Sequence, residues 1–210
     1  MQFIIDDEVI KGHDKYLKIM QDILDPSIDV SNNSEFQKAY SGYYFPAQVN
    51  KSFKEKFFSY MQQSRYARPS YEEVLNHLYE QSGDVHYSFA SKLLHTIDPD
   101  LPILDRHVMR LLGFQLMPAK IIKKSDRKYE EKKKGDAQRR INYYCDVFDV
   151  VIADYRKYEN EHFMKDAITR FDMRFPEYKD ISYMKKIDML IFRLRDERAV
   201  SVLDYLYKTC

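Results

Sequence analysis

Tryptophan is absent from this chain, and glycine is scarce, with five in 210 residues. No phosphate-cradling glycine loop and no GxSxG serine elbow occurs, which removes the commonest nucleotide-binding and serine-hydrolase signatures. Cysteine is limited to Cys145 and Cys210, too few and too far apart for a metal knuckle or a disulfide framework, and this fits a reducing compartment. No run of about 18 apolar residues exists, and the opening MQFIIDDEV sets two aspartates where an export signal needs its apolar centre; neither a membrane span nor export is predicted, and a cytoplasmic location is. His77, His86, His95 and His107 fall close together, but no pair has the i, i+4 spacing with an intervening glutamate, so neither a metal nor another cofactor is predicted. No Arg-x4-6-His motif lies within a single predicted late helix, so a toxin-type ribonuclease gains no support.

What is present is a chain with 44% hydrophobic and 32% charged residues, long enough for one domain or two closely packed lobes. Apolar residues recur mostly at spacings of three and four, the signature of an all-α fold. Helices are predicted over Asp14–Leu24, Lys51–Gln63, Ser70–Gln81, Tyr87–Ile97, Arg106–Leu112, Ala137–Tyr158, Asn160–Phe171, Ile181–Glu197 and Ala199–Lys208. Glu72 and Glu73 follow Pro69 and Ser70, where acidic side chains complement a helix start. Breaks fall at residues 25–27, 31–34, 67–70, 98–102 and 174–180. The cluster YSGYYFP (residues 40–46) offers either rings on which a flipped base stacks or a small satellite core.

The net charge of +1 hides an uneven distribution. Residues 120–140 carry ten lysines and arginines, among them Lys123, Lys124 and Arg127, against four acidic residues. That surplus is either a solvated, partly mobile loop or a footprint for a polyanion such as DNA. With few apolar anchors and its own Gly135, the segment also reads as a lobe boundary around residues 118–137.

The most informative stretch is SFASKLLHTIDPDLPILDRHVMRLLG, residues 88–113. At 100° per residue, Phe89, Ala90, Leu93, Leu94 and Ile97 share an apolar arc, while Ser88, Ser91, Lys92, His95 and Thr96 form a polar face. In the next helix Val108, Met109, Leu111 and Leu112 point inward, and Arg106, His107 and Arg110 outward. Asp105 stands at the N-cap, where a carboxylate accepts backbone N–H groups and stays ionised; it is either a cap alone or a fixed charge able to stabilise a cationic centre. Lys92 lies one turn after Ser88, and its amine is a nucleophile, a phosphate or Asp105 partner, or a solvated charge; protonated His95 is a neighbour able to lower its pKa.

FASKLLHTIDPDLPILDRHVMRLLG resembles the centre of the helix-hairpin-helix DNA glycosylase superfamily, most closely the archaeal-type 8-oxoguanine DNA glycosylases. The resemblance covers residues 84–113 and implies a two-lobed all-α fold, duplex DNA with a damaged or modified base as partner, and a catalytic aspartate at Asp105 within the DRH element. Two departures stand out. Ser88 occupies the position of the family's catalytic lysine, which implies hydrolysis without strand cleavage, and Asp84 and His86 stand where its hairpin carries glycines. The resemblance makes Asp105 and Lys92 the catalytic candidates, and Ser88, Ser91, His95, Arg106, His107, Arg110, Lys123, Lys124 and Arg127 the DNA or substrate contacts. The other function considered is a non-catalytic helical module that binds nucleic acid or protein.

Overall fold

The computed structural model describes residues 5–193, and these are all-helical, with no strand among them. A 3₁₀ turn (Asp7–Val9) precedes α1 (Asp14–Leu24), α2 (Ser34–Tyr44), α3 (Lys51–Ala67), α4 (Tyr71–Ser82), α5 (Tyr87–Ile97), α6 (Arg106–Leu111), α7 (Tyr129–Tyr158), α8 (His162–Arg174) and α9 (Tyr183–Arg193). No helix among the described residues is long and apolar enough to cross a membrane. The segment predicted as a helix over Ala199–Lys208 lies outside the described residues, as does the end of Ile181–Glu197.

Local chemistry explains most helix starts. Asn33 and Asn50 accept the N–H groups of Phe36 and Phe53, and Ser70 with Glu73 closes a capping box. Gly83 ends α4 at φ 76°, a left-handed conformation that costs glycine nothing.

Two predictions need correction. No helix is predicted over the Tyr-rich segment, yet α2 runs through it; Phe36, Tyr40 and Tyr44 sit at i, i+4, i+8 and are buried against α3, with Tyr40 and Phe57 ring centroids 5.6 Å apart. It is therefore core, since tyrosine rings supply the apolar stripe. The basic segment is also not wholly a loop: α7 starts at Tyr129 and carries Gly135 in its interior. Buried Ala137 anchors that half, as does buried Asp136, which binds Arg139 at 2.7 Å and the Lys120 N–H at 3.1 Å. Farther along, Phe148 stacks on Tyr71 of α4 at 4.1 Å.

Arg65 fastens α3 to the end of α1. Its buried guanidinium donates to the carbonyls of Ile23 (2.7 Å), which the C-terminus of α1 leaves unpaired, and of Asp25 (2.5 Å) and Ile28 (2.7 Å) in the turn that follows. Arg65→Lys keeps the charge and loses the planar fork, so it is expected to cost about 2–4 kcal/mol in urea unfolding. An unchanged midpoint would show that the clamp is dispensable.

Candidate functional site

The loop between α5 and α6 is held from inside. Ser91 and His95 were predicted to face DNA, but both are 0% exposed, so neither contacts a substrate. Ser91 Oγ accepts the Leu104 N–H at 2.9 Å, and His95 Nδ1 lies 2.7 Å from the Leu101 carbonyl. Burial, with Lys185 nearby, lowers the His95 pKa to about 3, so the ring is neutral. A carbonyl only accepts; the proton therefore sits on Nδ1, and Nε2 accepts from the Tyr16 hydroxyl at 3.2 Å. From α9's side, Ser182 donates to the Pro99 carbonyl at 2.7 Å. The polar face of α5 is wet only in part because this loop folds over it, burying Ile103 and Leu104.

The loop delivers Asp105 to the start of α6. Asp105 Oδ1 accepts the N–H groups of His107 (2.7 Å) and Val108 (3.0 Å), which fixes the carboxylate, and its side chain lines a cavity of about 350 Å³. Lys92 lines the same cavity. That volume is at the lower end of the range of about 300–1,000 Å³ typical of small-molecule sites.

Lys92 is the one residue that α5 gives to this wall; Ser88, one turn earlier, is not part of it. The Lys92 ammonium donates to the Tyr44 carbonyl at 3.4 Å and, among the described residues, has no carboxylate within ion-pair distance. It is thus not the direct partner of Asp105. Burial lowers its pKa, opposed by the charges of Asp105 and Asp188. Protonated His95 has no part in this, since that ring is neutral.

Across the cavity, α9 contributes a pair that the sequence reading missed. Lys185, with a side chain 3% exposed, binds Asp188 at 2.7 Å and lies over the rings of Tyr16 (4.9 Å) and Tyr43 (5.5 Å). Burial disfavours its charge, but Asp188 outweighs that and raises the pKa above the ordinary lysine value. A lysine and an aspartate at i, i+3 inside the apolar run YMKKIDMLIF is the signal that would have found them. Tyr43 and Tyr44 of α2, together with Phe192, add aromatic wall.

The other predicted contacts stand outside the cavity. Arg106 and Arg110 are exposed on α6, and the His107 ring meets the edge of Phe192 at 5.7 Å. Lys123, Lys124 and Arg127 are exposed in the loop before α7. Asp84, at a position where the resembled hairpin carries glycine, is bound by Arg140 at 2.9 Å, which offsets its charge. No group of three or more potential metal ligands occurs among the described residues. No family model, curated protein or solved structure matches the chain.

His13, on the cavity wall, is also neutral, with burial and Lys185 lowering its pKa to about 3. In an unfolded chain both histidines protonate near 6.5, so the stability they confer is complete above about pH 6.5 and is lost as pH falls toward 3. Urea unfolding at about pH 7 and about pH 5 should show a loss of about 2 kcal/mol per histidine, and His95→Gln should remove about half of the drop. Stability that is flat over this interval would contradict the burial of neutral rings.

Proposed function

We propose that the protein is a DNA-base N-glycosylase of the monofunctional type, with the two-lobed fold of the helix-hairpin-helix glycosylases. The observation that carries the reading is the position of Asp105: a carboxylate fixed by two backbone N–H groups on the wall of a cavity that also holds Lys92. A damaged or modified base rotates out of the duplex into this cavity, against Tyr43 and Tyr44. As the bond between the sugar C1′ and the base nitrogen breaks, its electrons leave with the base, and Asp105 stabilises the positive charge left on the sugar. The Lys92 ammonium protonates the departing base. Water then adds to C1′, and its surplus proton returns to the Lys92 amine. Ser88 forms no imine, in keeping with base release without strand cleavage. Lys123, Lys124, Arg127, Arg106 and Arg110 supply exposed positive charge for the DNA backbone.

Base release is measured on duplexes carrying oxidised, deaminated or alkylated bases, with abasic sites revealed by alkali. Asp105→Asn keeps an N-cap side chain and removes the charge; it should leave the melting temperature nearly unchanged and slow release at least about 100-fold. Lys92→Gln should slow release by about 100-fold. Release that survives Asp105→Asn removes this mechanism. Salt-sensitive DNA binding with no release from any duplex replaces it with a non-catalytic nucleic-acid-binding module.

A further inference from the structure

The loop that joins α6 to α7 carries an apolar side chain that neither the core nor the cavity uses. Ile121 is 98% exposed, and Leu116, five residues earlier, is 46% exposed. An exposed isoleucine by itself is ordinary. Its setting is not, because the loop lies outside the cavity wall and is nonetheless tied to α7 at both ends. At the near end, the Gln115 carbonyl accepts from the Tyr143 hydroxyl at 2.6 Å, the Pro118 carbonyl accepts from Arg139 at 3.2 Å, and the Lys120 N–H donates to buried Asp136 at 3.1 Å. At the far end, Asp126 accepts the Lys128 N–H at 3.0 Å and binds Lys132 at 2.5 Å. Ile121 directly follows the last near-end anchor, so backbone bonds on both sides set its place.

Charge around it is one-sided. Residues 116–128 hold Lys120, Lys123, Lys124, Arg127 and Lys128 against Asp126 alone. Asp126 is taken by Lys132, and Glu131 of α7 by Lys128 at 3.3 Å; of the neighbouring acids, Glu130 has no ion pair among the described residues. Lys120, Lys123, Lys124 and Arg127 are exposed, and among the described residues none has a carboxylate within ion-pair distance. Four unneutralised cations around one bare aliphatic group suit a partner with closely spaced anions beside an apolar surface. Duplex DNA is such a partner, with phosphates along its grooves and sugars and base edges within them. An anionic bilayer offers both as well, but even a whole myristoyl chain anchors only marginally, so one isoleucine favours DNA.

We propose that the loop between α6 and α7 is a second contact with duplex DNA, in which Ile121 enters the minor groove as an apolar wedge and bends the duplex while Lys120, Lys123, Lys124 and Arg127 hold the flanking phosphates. The partner class rests on the function proposed above. The phosphate contacts fix the position of the protein on any sequence, and the wedge partly unstacks one base step.

The test uses the full chain and a short undamaged duplex with a dye at each end, with affinity read by anisotropy at several salt concentrations and bending read by energy transfer between the dyes. Ile121→Ala should keep the melting temperature and the salt dependence, weaken binding about tenfold and lower the energy transfer, and Ile121→Leu should restore both. Lys123→Gln combined with Lys124→Gln should weaken binding about tenfold and reduce the slope of log affinity against log salt by about two. The exposed control pair Lys165→Gln and Lys179→Gln should leave affinity and slope unchanged. Unaltered binding and bending in Ile121→Ala, or an equal loss in the control pair, overturns the proposal. Ile121-dependent binding to phosphatidylserine vesicles that is tighter than binding to the duplex also overturns it and makes the loop a membrane-surface contact. Asp105→Asn should slow base release yet leave binding and bending of the undamaged duplex in place, so the enzymatic reading and this interface fail separately.

Discussion

Everything at the candidate site depends on the inward polar face of α5. Ser91 and His95 are sealed from solvent, and each holds one point of the loop that runs to Asp105. Buried polar groups are stable only when bonded, and these are bonded to backbone atoms that would otherwise be orphaned themselves. The geometry is thereby over-determined: the loop cannot shift without leaving a serine, an imidazole and two backbone groups unpaired. Pre-positioning of a carboxylate costs free energy, and here the cost falls on the fold before any ligand arrives.

The electrostatics follow from the same burial. Two histidines near the cavity stay neutral, and Lys185 stays charged because Asp188 and two tyrosine faces surround it. Lys92 lies between these extremes: buried enough for its pKa to fall, yet within the field of Asp105 and Asp188, which opposes the fall. Burial and the two carboxylates thus act in opposite directions on one amine.

Much of this was legible in the sequence, and the failures share a cause. The N-cap role of Asp105 and the capping of α4 by Ser70 were readable because caps depend on neighbours within a turn. Helix α2 escaped because its apolar stripe is built from tyrosines. The first turns of α7 escaped because lysines and glutamates give no apolar period, although Asp136 and Ala137 pin that part of the helix. Ser91 and His95 were misread as surface for a different reason: a helical wheel shows which residues share a face, and only the loop folded over that face decides whether it is wet. The Lys185–Asp188 pair shows the converse, a charged couple inside an apolar run that marks a buried site.

On the function proposed above, Asp105 presents a fixed negative charge to the sugar of a nucleotide in the cavity. The most direct measurement compares binding to two duplexes that differ at one site, one carrying a neutral tetrahydrofuran abasic analogue and the other a cationic pyrrolidine that mimics the charge of the glycosyl cation. The pyrrolidine duplex is expected to bind at least about 100-fold more tightly, the advantage of a transition-state mimic, and Asp105→Asn to remove the difference. Equal affinity for the two duplexes in the native protein would contradict it.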